Sequence, residues 1–587
     1  MNNNNKIKED FDFALENHKK NNLEVAEKLY KKILDIDPNH FPSNVLLGTL
    51  LAQVKKFNFA KKLLEKAINI NPNHPEAHYN LGLVFNELHD FEKAITCYEK
   101  AIKINPNYAD AYNNLGNSYK ELKIFEKATT CYEKAIKINP NYADAYNNLG
   151  IIFKSLGQDL QAINYYKKTI KVDPNHPEAH YNFGIVLKAL GEDLKAISYY
   201  EKAVKVKPDY ADAYNNLGNC YKDIGDFQKA INCYEEATKY QPSNLAYLYP
   251  LSDLKKEILI PNLRKNIETI INDNNCIKRN MAFGNFLLAR YESKEKNHKK
   301  EIDYLTKAHT YYFETKKEIF AKQIAYLFDE FPNNYKFINL NKLGKKTNND
   351  KIKPIFIIGV PRCGSTLVEK IIGSGSKHIP IGEETGILER IIKQKIKNKQ
   401  LTNYNKENYQ MELIEAFNHR GLIQKSSDYI FTDKSLENFL YVNMIKEIFP
   451  NAKIINCKRN ALSSIMSIFK NNMTAIGWAH NLKYIFKYFD IYHQTIKNFK
   501  KLYPNSIYEL DYDKFVNNAE MESKKLFEYC NLGWDKKCLE YYKRKDIISK
   551  TASNIQIRQP IYKNSSDKYL PYKKLLSEYG KEYSWFN

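Results

Sequence analysis

A proline recurs every 34 residues through the first part of the chain. The recurring residues are Pro38, Pro72, Pro106, Pro140, Pro174, Pro208 and Pro242. Between successive prolines lie two stretches whose apolar residues follow helical spacing, so we predict seven helix pairs over residues 5–242. One such pair cannot bury its apolar face alone. The units must therefore stack into an α-solenoid with a concave groove.

The repeated unit has a specific internal pattern. Its third complete copy begins with YADAYNNLGNSY at Tyr108 and continues with FEKA at Phe125. In length, helix pair and closing proline it resembles the tetratricopeptide repeat, which implies that one row of amides faces the groove and grips an extended peptide. That row is Asn80, Asn114, Asn148, Asn182 and Asn216. The alternative is that Asn is simply frequent here. We expect these amides to take no part in holding the stack together.

Two further regions follow the repeats. Residues 243–350 are helical and less regular, so we predict a cap and linker, with the polar tract 342–350 leading into the next domain. From residue 351 to 587 strand and helix patterns alternate, which predicts an α/β domain with a parallel sheet.

The start of this last region carries the clearest chemical signal. Residues 354–372 read as a buried strand, a loop bounded by Gly359 and Gly364, and an amphipathic helix. Backbone N–H groups of such a loop and the positive end of the helix dipole bind an anion. The spacing is P-loop-like, but Ser365 stands where the nucleotide-triphosphate motif has its Lys. We therefore favour a nucleotide with a compact 5′ group over ATP with magnesium, which disfavours a P-loop kinase.

This loop resembles the 5′-phosphosulfate loop of sulfotransferases that use 3′-phosphoadenosine 5′-phosphosulfate (PAPS). The resemblance implies donor contacts at Arg362, Cys363, Gly364, Ser365 and Thr366. About a hundred residues later a strand ends at Arg459, and Ser467 lies in the following helix; both match the family pattern for the 3′-phosphate, which a charge-assisted hydrogen bond suits. The chemistry needs no metal.

Two segments between these motifs resemble protein-tyrosine sulfotransferases. They are GEET at residues 382–385 and FTDKS at residues 431–435. The resemblance implies that Glu384 is the catalytic base and that Lys434 and Arg362 stabilise the transition state. Glu383 is the alternative base on this resemblance. His378 and His480 are rivals, because many sulfotransferases use His.

A third match lies near the C-terminus, where residues 551–562 and Lys568 resemble the loop that covers the cofactor in these enzymes. The resemblance implies donor contacts at Ser553, Gln556 and Lys568, and an adenine-site ring at Tyr512.

The charge of the chain indicates which ligands it can bind, and its cysteine usage indicates its compartment. The net charge is +22, and residues 351–587 alone carry 39 Lys and Arg against 24 Asp and Glu, a balance of +15. This charge suits a doubly anionic nucleotide or an acidic acceptor, whereas dispersed lysines argue against nucleic acid. Nine scattered cysteines without a C-x-x-C pair indicate a reducing compartment, and no apolar run is long enough for a membrane span. We expect a cytoplasmic protein.

Together these features predict a solenoid followed by a PAPS-dependent sulfotransferase domain. The favoured acceptor is the hydroxyl of a Tyr in a protein or peptide that the repeats recruit. One alternative is sulfation of a saccharide or small metabolite, with the repeats serving assembly. The other is an inactive scaffold, which the intact Arg362, Lys434, Arg459 and Ser467 argue against.

Overall fold

The computed structural model describes residues 3–332, 352–375, 379–397, 406–423, 429–544, 553–561 and 567–586. The chain divides into two compact units, Met1–Ala213 and Tyr214–Asn587. The predicted boundaries at residues 242 and 350 stay predictions, and the linker tract 342–350 lies outside the described residues.

The N-terminal region consists of helices in consecutive pairs, as the proline period predicts. The helices are α1 Asn3–Lys19, α2 Leu23–Ile36, α3 Phe41–Gln53, α4 Phe57–Ile70, α5 Pro75–Glu87, α6 Phe91–Ile104, α7 Ala109–Glu121, α8 Phe125–Ile138, α9 Ala143–Ser155, α10 Asp159–Val172, α11 Pro177–Ala189, α12 Asp193–Val206, α13 Ala211–Ile224 and α14 Phe227–Tyr240. The predicted paired-helix repeat region is therefore confirmed.

A glycine and a tyrosine hold the two helices of a unit together. A Cβ added at Gly116 in α7 would lie 2.6 Å from Cε1 of Tyr132 in α8, and Tyr132 is fully buried. The same contact recurs at Gly82, Gly150, Gly184 and Gly218. Only a residue without a side chain lets the ring lie this close to the helix.

Replacing Gly116 by Ala should destabilise the repeat region by about 1–3 kcal/mol, because the added methyl group collides with a buried ring. Thermal or urea unfolding followed by circular dichroism measures this loss. Glu121→Ala, an exposed position at the end of the same helix, is the matched control and should change the free energy of unfolding far less. Equal stability of the two variants would contradict the close packing.

The row of amides contributes to the stack, contrary to our expectation. Asn114 Nδ2 donates to the hydroxyl of Tyr79 at 2.8 Å, and Asn148 Nδ2 donates to Asn113 Oδ1 at 3.2 Å. Asn182 repeats this bond to the preceding unit at 3.1 Å, and Asn80 Nδ2 donates to Thr49 Oγ1 at 2.9 Å. The expectation is wrong for these four residues, because each amide has a polar partner on the preceding unit within hydrogen-bond distance.

The second unit starts with helices that lead from the last repeat pair to the α/β domain. They are α15 Leu245–Leu254, α16 Pro261–Ile271, α17 Lys278–Lys294, α18 His298–Thr315 and α19 Lys317–Ala325. A short 3-10 turn follows α15 at Lys256–Ile258, and a π-helical turn follows α19 at Tyr326–Glu330.

A four-stranded parallel sheet forms the centre of the α/β domain, as predicted. Its strands are β1 Ile355–Ile358, β2 Thr432–Asp433, β3 Lys453–Lys458 and β4 Ile507–Asp511, in the order β2-β1-β3-β4. Ile355 pairs with Thr432 on one side and with Lys453 on the other. All four residues of β1 are buried. The carboxyl ends of the strands therefore meet at one edge, where ligands of open α/β sheets bind.

Helices connect these strands and complete the domain. They are α20 Ser365–Gly373, α21 Ile387–Lys397, α22 Lys406–His419, α23 Val442–Ile448, α24 Ala461–Phe469, α25 Leu482–Leu502, α26 Tyr512–Asn517, α27 Ala519–Tyr529 and α28 Lys573–Gly580. Short 3-10 turns lie at Leu436–Tyr441, Gly477–His480, Lys536–Lys543, Gln556–Arg558 and Leu570–Tyr572. Within the described ranges, none of the helices has both the length and the apolar character to cross a bilayer.

Candidate functional site

The loop after β1 is shaped by residues with positive φ. Arg362 has φ 69° and Gly364 has φ 100°, and Gly364 caps the N-terminus of α20. A Cβ at Gly364 would lie 2.2 Å from Cδ2 of Tyr512. Glycine is needed there both for the backbone conformation and for this contact. The loop therefore opens a helix N-terminus toward the carboxyl edge of the sheet, next to an aromatic ring.

Arg362 joins three of the predicted donor segments. Its Nε donates to Ser467 Oγ at 2.9 Å, and its Nη1 donates to Ser553 Oγ at 2.7 Å. Its Nη2 donates to Gln556 Oε1 at 3.4 Å. The guanidinium is thus the point where the loop, α24 and the C-terminal segment meet.

Arg459 lies on the other side of the same loop. Its Nη1 donates to the carbonyl oxygen of Arg362 at 3.2 Å, and its guanidinium lies 5.0 Å from the ring centroid of Tyr512. Ser464 also donates to the Arg362 carbonyl, at 3.4 Å. Two cationic side chains and one aromatic ring therefore surround the loop.

A cavity of about 1560 Å³ contains most of the predicted site residues. Those that line it are Arg362, Gly364, Thr366, Glu384, Arg459, Ser467, Tyr512, Ser553, Gln556 and Lys568. Of the predicted catalytic and donor-binding residues that the structure describes, Cys363, Ser365 and Lys434 are outside this lining. Cys363 is fully buried, and its N–H donates to the carbonyl of Val360 at 3.2 Å. The structure therefore does not bring Cys363 to the cavity.

Glu384 and Lys434 form an ion pair at the edge of the cavity. Lys434 Nζ lies 3.2 Å from Glu384 Oε1, and the Lys434 side chain is fully buried whereas that of Glu384 is 47% exposed. Burial alone would lower the pKa of Lys434, but the carboxylates of Glu384, Glu369 and Glu383 outweigh it and raise that pKa. Lys434 therefore stays protonated beside a carboxylate that reaches the cavity.

Asp433 fixes the two segments that carry this pair. Its Oδ2 accepts from Thr385 Oγ1 at 2.5 Å, while its Oδ1 accepts from the Ser435 N–H at 2.8 Å and from Asn438 Nδ2 at 2.9 Å. Asp433 is fully buried. Sequence reasoning missed this role, although Asp433 and Thr385 both lie within the motifs that drew attention to the site.

Glu383 is outside the described lining of the cavity. Its φ is 53°, and its Oε1 lies 2.9 Å from Lys370 Nζ, which is buried. Its N–H donates at 3.0 Å to Glu369 Oε1, which also accepts from Thr432 Oγ1 at 2.8 Å. Burial raises the pKa of Glu369, and Lys434 and Lys370 oppose that shift. Of the two adjacent glutamates, Glu384 is the one whose carboxylate reaches the cavity.

Two histidines were the alternative candidates for the catalytic base. His378 lies outside the described residues. His480 is buried, with its Nδ1 2.9 Å from Nδ1 of His309, and burial lowers its pKa to about 3. It packs on Tyr312 and Phe320 and is absent from the described lining of the cavity. The structure therefore does not bring His480 to the described lining of the cavity.

The cavity also contains residues that sequence reasoning missed. Asn215 and Asn219 of α13 line it, as do Tyr249, Phe283 and Tyr312 of the following helices. No motif marks these positions, because the helices reach the cavity only through tertiary packing. Glu437 also lines it, two residues past the FTDKS segment. Burial and the nearby Glu389 raise the pKa of Glu437 to about 8.

Several protein-family models match the chain. The sulfotransferase family model matches residues 354–536. Tetratricopeptide-repeat models match residues 84–123, 116–157, 187–225, 143–176, 211–244 and 165–198, and the model of anaphase-promoting complex, cyclosome, subunit 3 matches residues 19–101. The chain carries tetratricopeptide repeats and a sulfotransferase-family domain. Tetratricopeptide repeats generally mediate binding to proteins or peptides.

Individual relatives are similar to parts of this chain. An uncharacterized protein of Aquifex aeolicus (strain VF5) is 30% identical over 341 residues, which cover 53% of this chain and 42% of the relative. Protein-tyrosine sulfotransferase A of Caenorhabditis elegans is 24% identical over 205 residues, which cover 32% of this chain and 52% of the relative. The chain thus spans about half the length of these curated relatives. The crystal structure of MamA is 30% identical over 27% of this chain and 94% of MamA, with a TM-score of 0.27.

Proposed function

We propose that this protein transfers a sulfuryl group from PAPS to a hydroxyl group of an acceptor. The main support is the position of Arg362, which contacts Ser467 and the C-terminal segment and lines one cavity with Glu384 and Arg459. A donor nucleotide needs cations at two separate phosphate positions, and the acceptor needs a base. Two cations, Arg362 and Arg459, and one carboxylate, Glu384, line this cavity.

The residues of the cavity fit the donor. The 5′ end would lie against the α20 N-terminus, whose capping residue Gly364 packs against the ring of Tyr512. The proposed contacts there are Arg362 and Thr366, which line the cavity, and Ser365, which is outside the lining and begins α20. Arg459 and Ser467 would hold the 3′-phosphate, and the ring of Tyr512 would lie against adenine. Ser553, Gln556 and Lys568 would cover the nucleotide.

The transfer is an in-line displacement at sulfur. The acceptor oxygen forms a new S–O bond, the bond from sulfur to the bridging oxygen of the 5′-phosphate breaks, and the acceptor proton moves to the Glu384 carboxylate. Negative charge grows on the bridging oxygen. The Arg362 guanidinium and the Lys434 ammonium would stabilise it, which is the role that preorganised cations play in such transfers.

We further propose that the acceptor is a Tyr in a protein or peptide. The GEET segment and the protein-tyrosine sulfotransferase named among the relatives favour this acceptor, and so does the general peptide-binding role of tetratricopeptide repeats. Binding contacts far from the reacting hydroxyl would supply affinity that a single phenol lacks. A saccharide or small metabolite is the alternative acceptor.

Incubating the protein with PAPS labelled at the sulfuryl group and with fractions of source-cell lysate should label a polypeptide. Label that survives denaturation and is recovered as sulfated Tyr after alkaline hydrolysis supports the proposal. Lys434→Ala is the control and should remove the label. Label found only in the small-molecule or glycan fraction would favour the alternative acceptor, and a complete lack of transfer would contradict the enzyme function.

A further inference from the structure

The C-terminal end of α13, the first helix of the last repeat pair, contacts a segment near the C-terminus within the second compact unit. The carbonyl oxygen of Lys222 accepts from Asn554 Nδ2 at 2.9 Å, and that of Asp223 accepts from Arg558 Nη2 at 3.2 Å. Both carbonyls lie in the last turn of α13, where a helix leaves carbonyl groups without intrahelical partners. Side chains more than 300 residues away in sequence therefore cap this helix.

The turn after α13 is closely packed against the same segment. Gly225 has φ 87°, and a Cβ added there would lie 2.7 Å from both Cζ and Nε of Arg558. The equivalent turn two units earlier has Gly157 with φ 74°, and nothing lies within 4 Å of its added Cβ. The two turns thus share a backbone conformation and differ in what covers them.

The same C-terminal segment also contacts the loop after β1, which we call the donor loop. We call residues 553–561 the bridging segment. Ser553 and Gln556 of the bridging segment accept hydrogen bonds from the Arg362 guanidinium, and both line the cavity. The bridging segment therefore has two sets of contacts. Asn554 and Arg558 contact the end of α13, and Ser553 and Gln556 contact Arg362 of the donor loop.

We propose that the turn at Gly225 is a positioning site for the donor nucleotide. By fixing Asn554 and Arg558, the turn holds Ser553 and Gln556 where they orient the guanidinium of Arg362. The last repeat is then part of the donor site, in addition to any role in recruiting an acceptor. This inference rests on the proposed binding of PAPS at the Arg362 loop.

Gly225→Ala tests the inference in the full chain, with adenosine 3′,5′-bisphosphate as the probe in calorimetry. We expect its affinity to fall about tenfold, a typical size for coupling through a contact network. Gly157→Ala is the matched control, because it pays the same backbone cost at positive φ without meeting Arg558, and its affinity should equal that of the wild type. Thermal unfolding of both variants establishes that they are folded.

A double-mutant cycle with Arg558→Ala separates the contact from general damage. Arg558→Ala alone should weaken nucleotide binding, and adding Gly225→Ala should then cost nothing more, because the side chain it collides with is gone. The donor KM should rise in Gly225→Ala and in Arg558→Ala, and kcat should fall as well, because the Arg362 guanidinium that they displace is also proposed to stabilise the transition state. Normal nucleotide affinity in folded Gly225→Ala, or fully additive losses, would overturn the inference. A wild-type chain that fails to bind the nucleotide would instead overturn the proposed donor site.

Discussion

Glu384→Gln should reduce turnover by roughly a hundredfold or more while leaving nucleotide affinity unchanged. The amide keeps an oxygen that can accept from Lys434 but cannot take a proton from the acceptor. Because the carboxylate is at the acceptor side of the proposed reaction, the donor should not sense its loss. Turnover with labelled PAPS and calorimetry with adenosine 3′,5′-bisphosphate measure the two quantities separately.

Two neighbouring glutamates provide controls for this prediction. Glu437→Gln should keep most of the activity, because the pKa of Glu437 is about 8 and its carboxyl is already protonated at neutral pH. Glu383→Gln removes the ion pair with Lys370, so its main effect should be on stability. An active Glu384→Gln beside a folded, inactive Glu383→Gln would move the base by one residue.

Arg459→Ala should weaken the binding of adenosine 3′,5′-bisphosphate by about 2–4 kcal/mol, because a charge-assisted contact to the 3′-phosphate is lost. AMP lacks that phosphate and should bind the wild type and the variant with similar, weaker affinity. Calorimetry with both nucleotides measures the difference. The comparison also detects a disturbed loop, since Arg459 donates to the carbonyl of Arg362 and a collapsed loop would weaken AMP as well.

The adjacent cation is the matched control. Lys458 ends β3 and pairs with Glu509, and it is outside the described lining of the cavity. Lys458→Ala removes the same charge one residue away, so a purely long-range electrostatic effect would appear in both variants. Equal affinities of the wild type for the two nucleotides would refute the 3′-phosphate assignment.

Local sequence patterns predicted much of the fold and of the candidate site. The 34-residue period predicts the helix pairs, and the glycines around Arg362 predict the loop that follows β1. These features depend on residues close together in sequence, where spacing reports geometry directly. The order of the repeats also identifies α13 as a repeat helix, but nothing in its sequence indicates that it packs with the C-terminal region.

The sequence could not predict contacts between residues that are far apart in the chain. Asp433 and Thr385 are 48 positions apart, and Asn554 and Lys222 are 332 apart. An Asp after a strand or an Asn in a loop is common, so only the folded chain reveals its partner. The hydrogen bonds of Asn114 and Asn148 to the preceding unit were missed for the same reason.

The glycine–tyrosine contact has a consequence for how such a chain changes over generations. Gly116 packs on Tyr132 of its own unit, so losing or duplicating a whole unit leaves every such contact intact. A partial insertion would instead separate a glycine from its ring. The chain can therefore gain or lose repeat units one at a time by a single recombination event, while the sulfotransferase-family domain keeps its sequence.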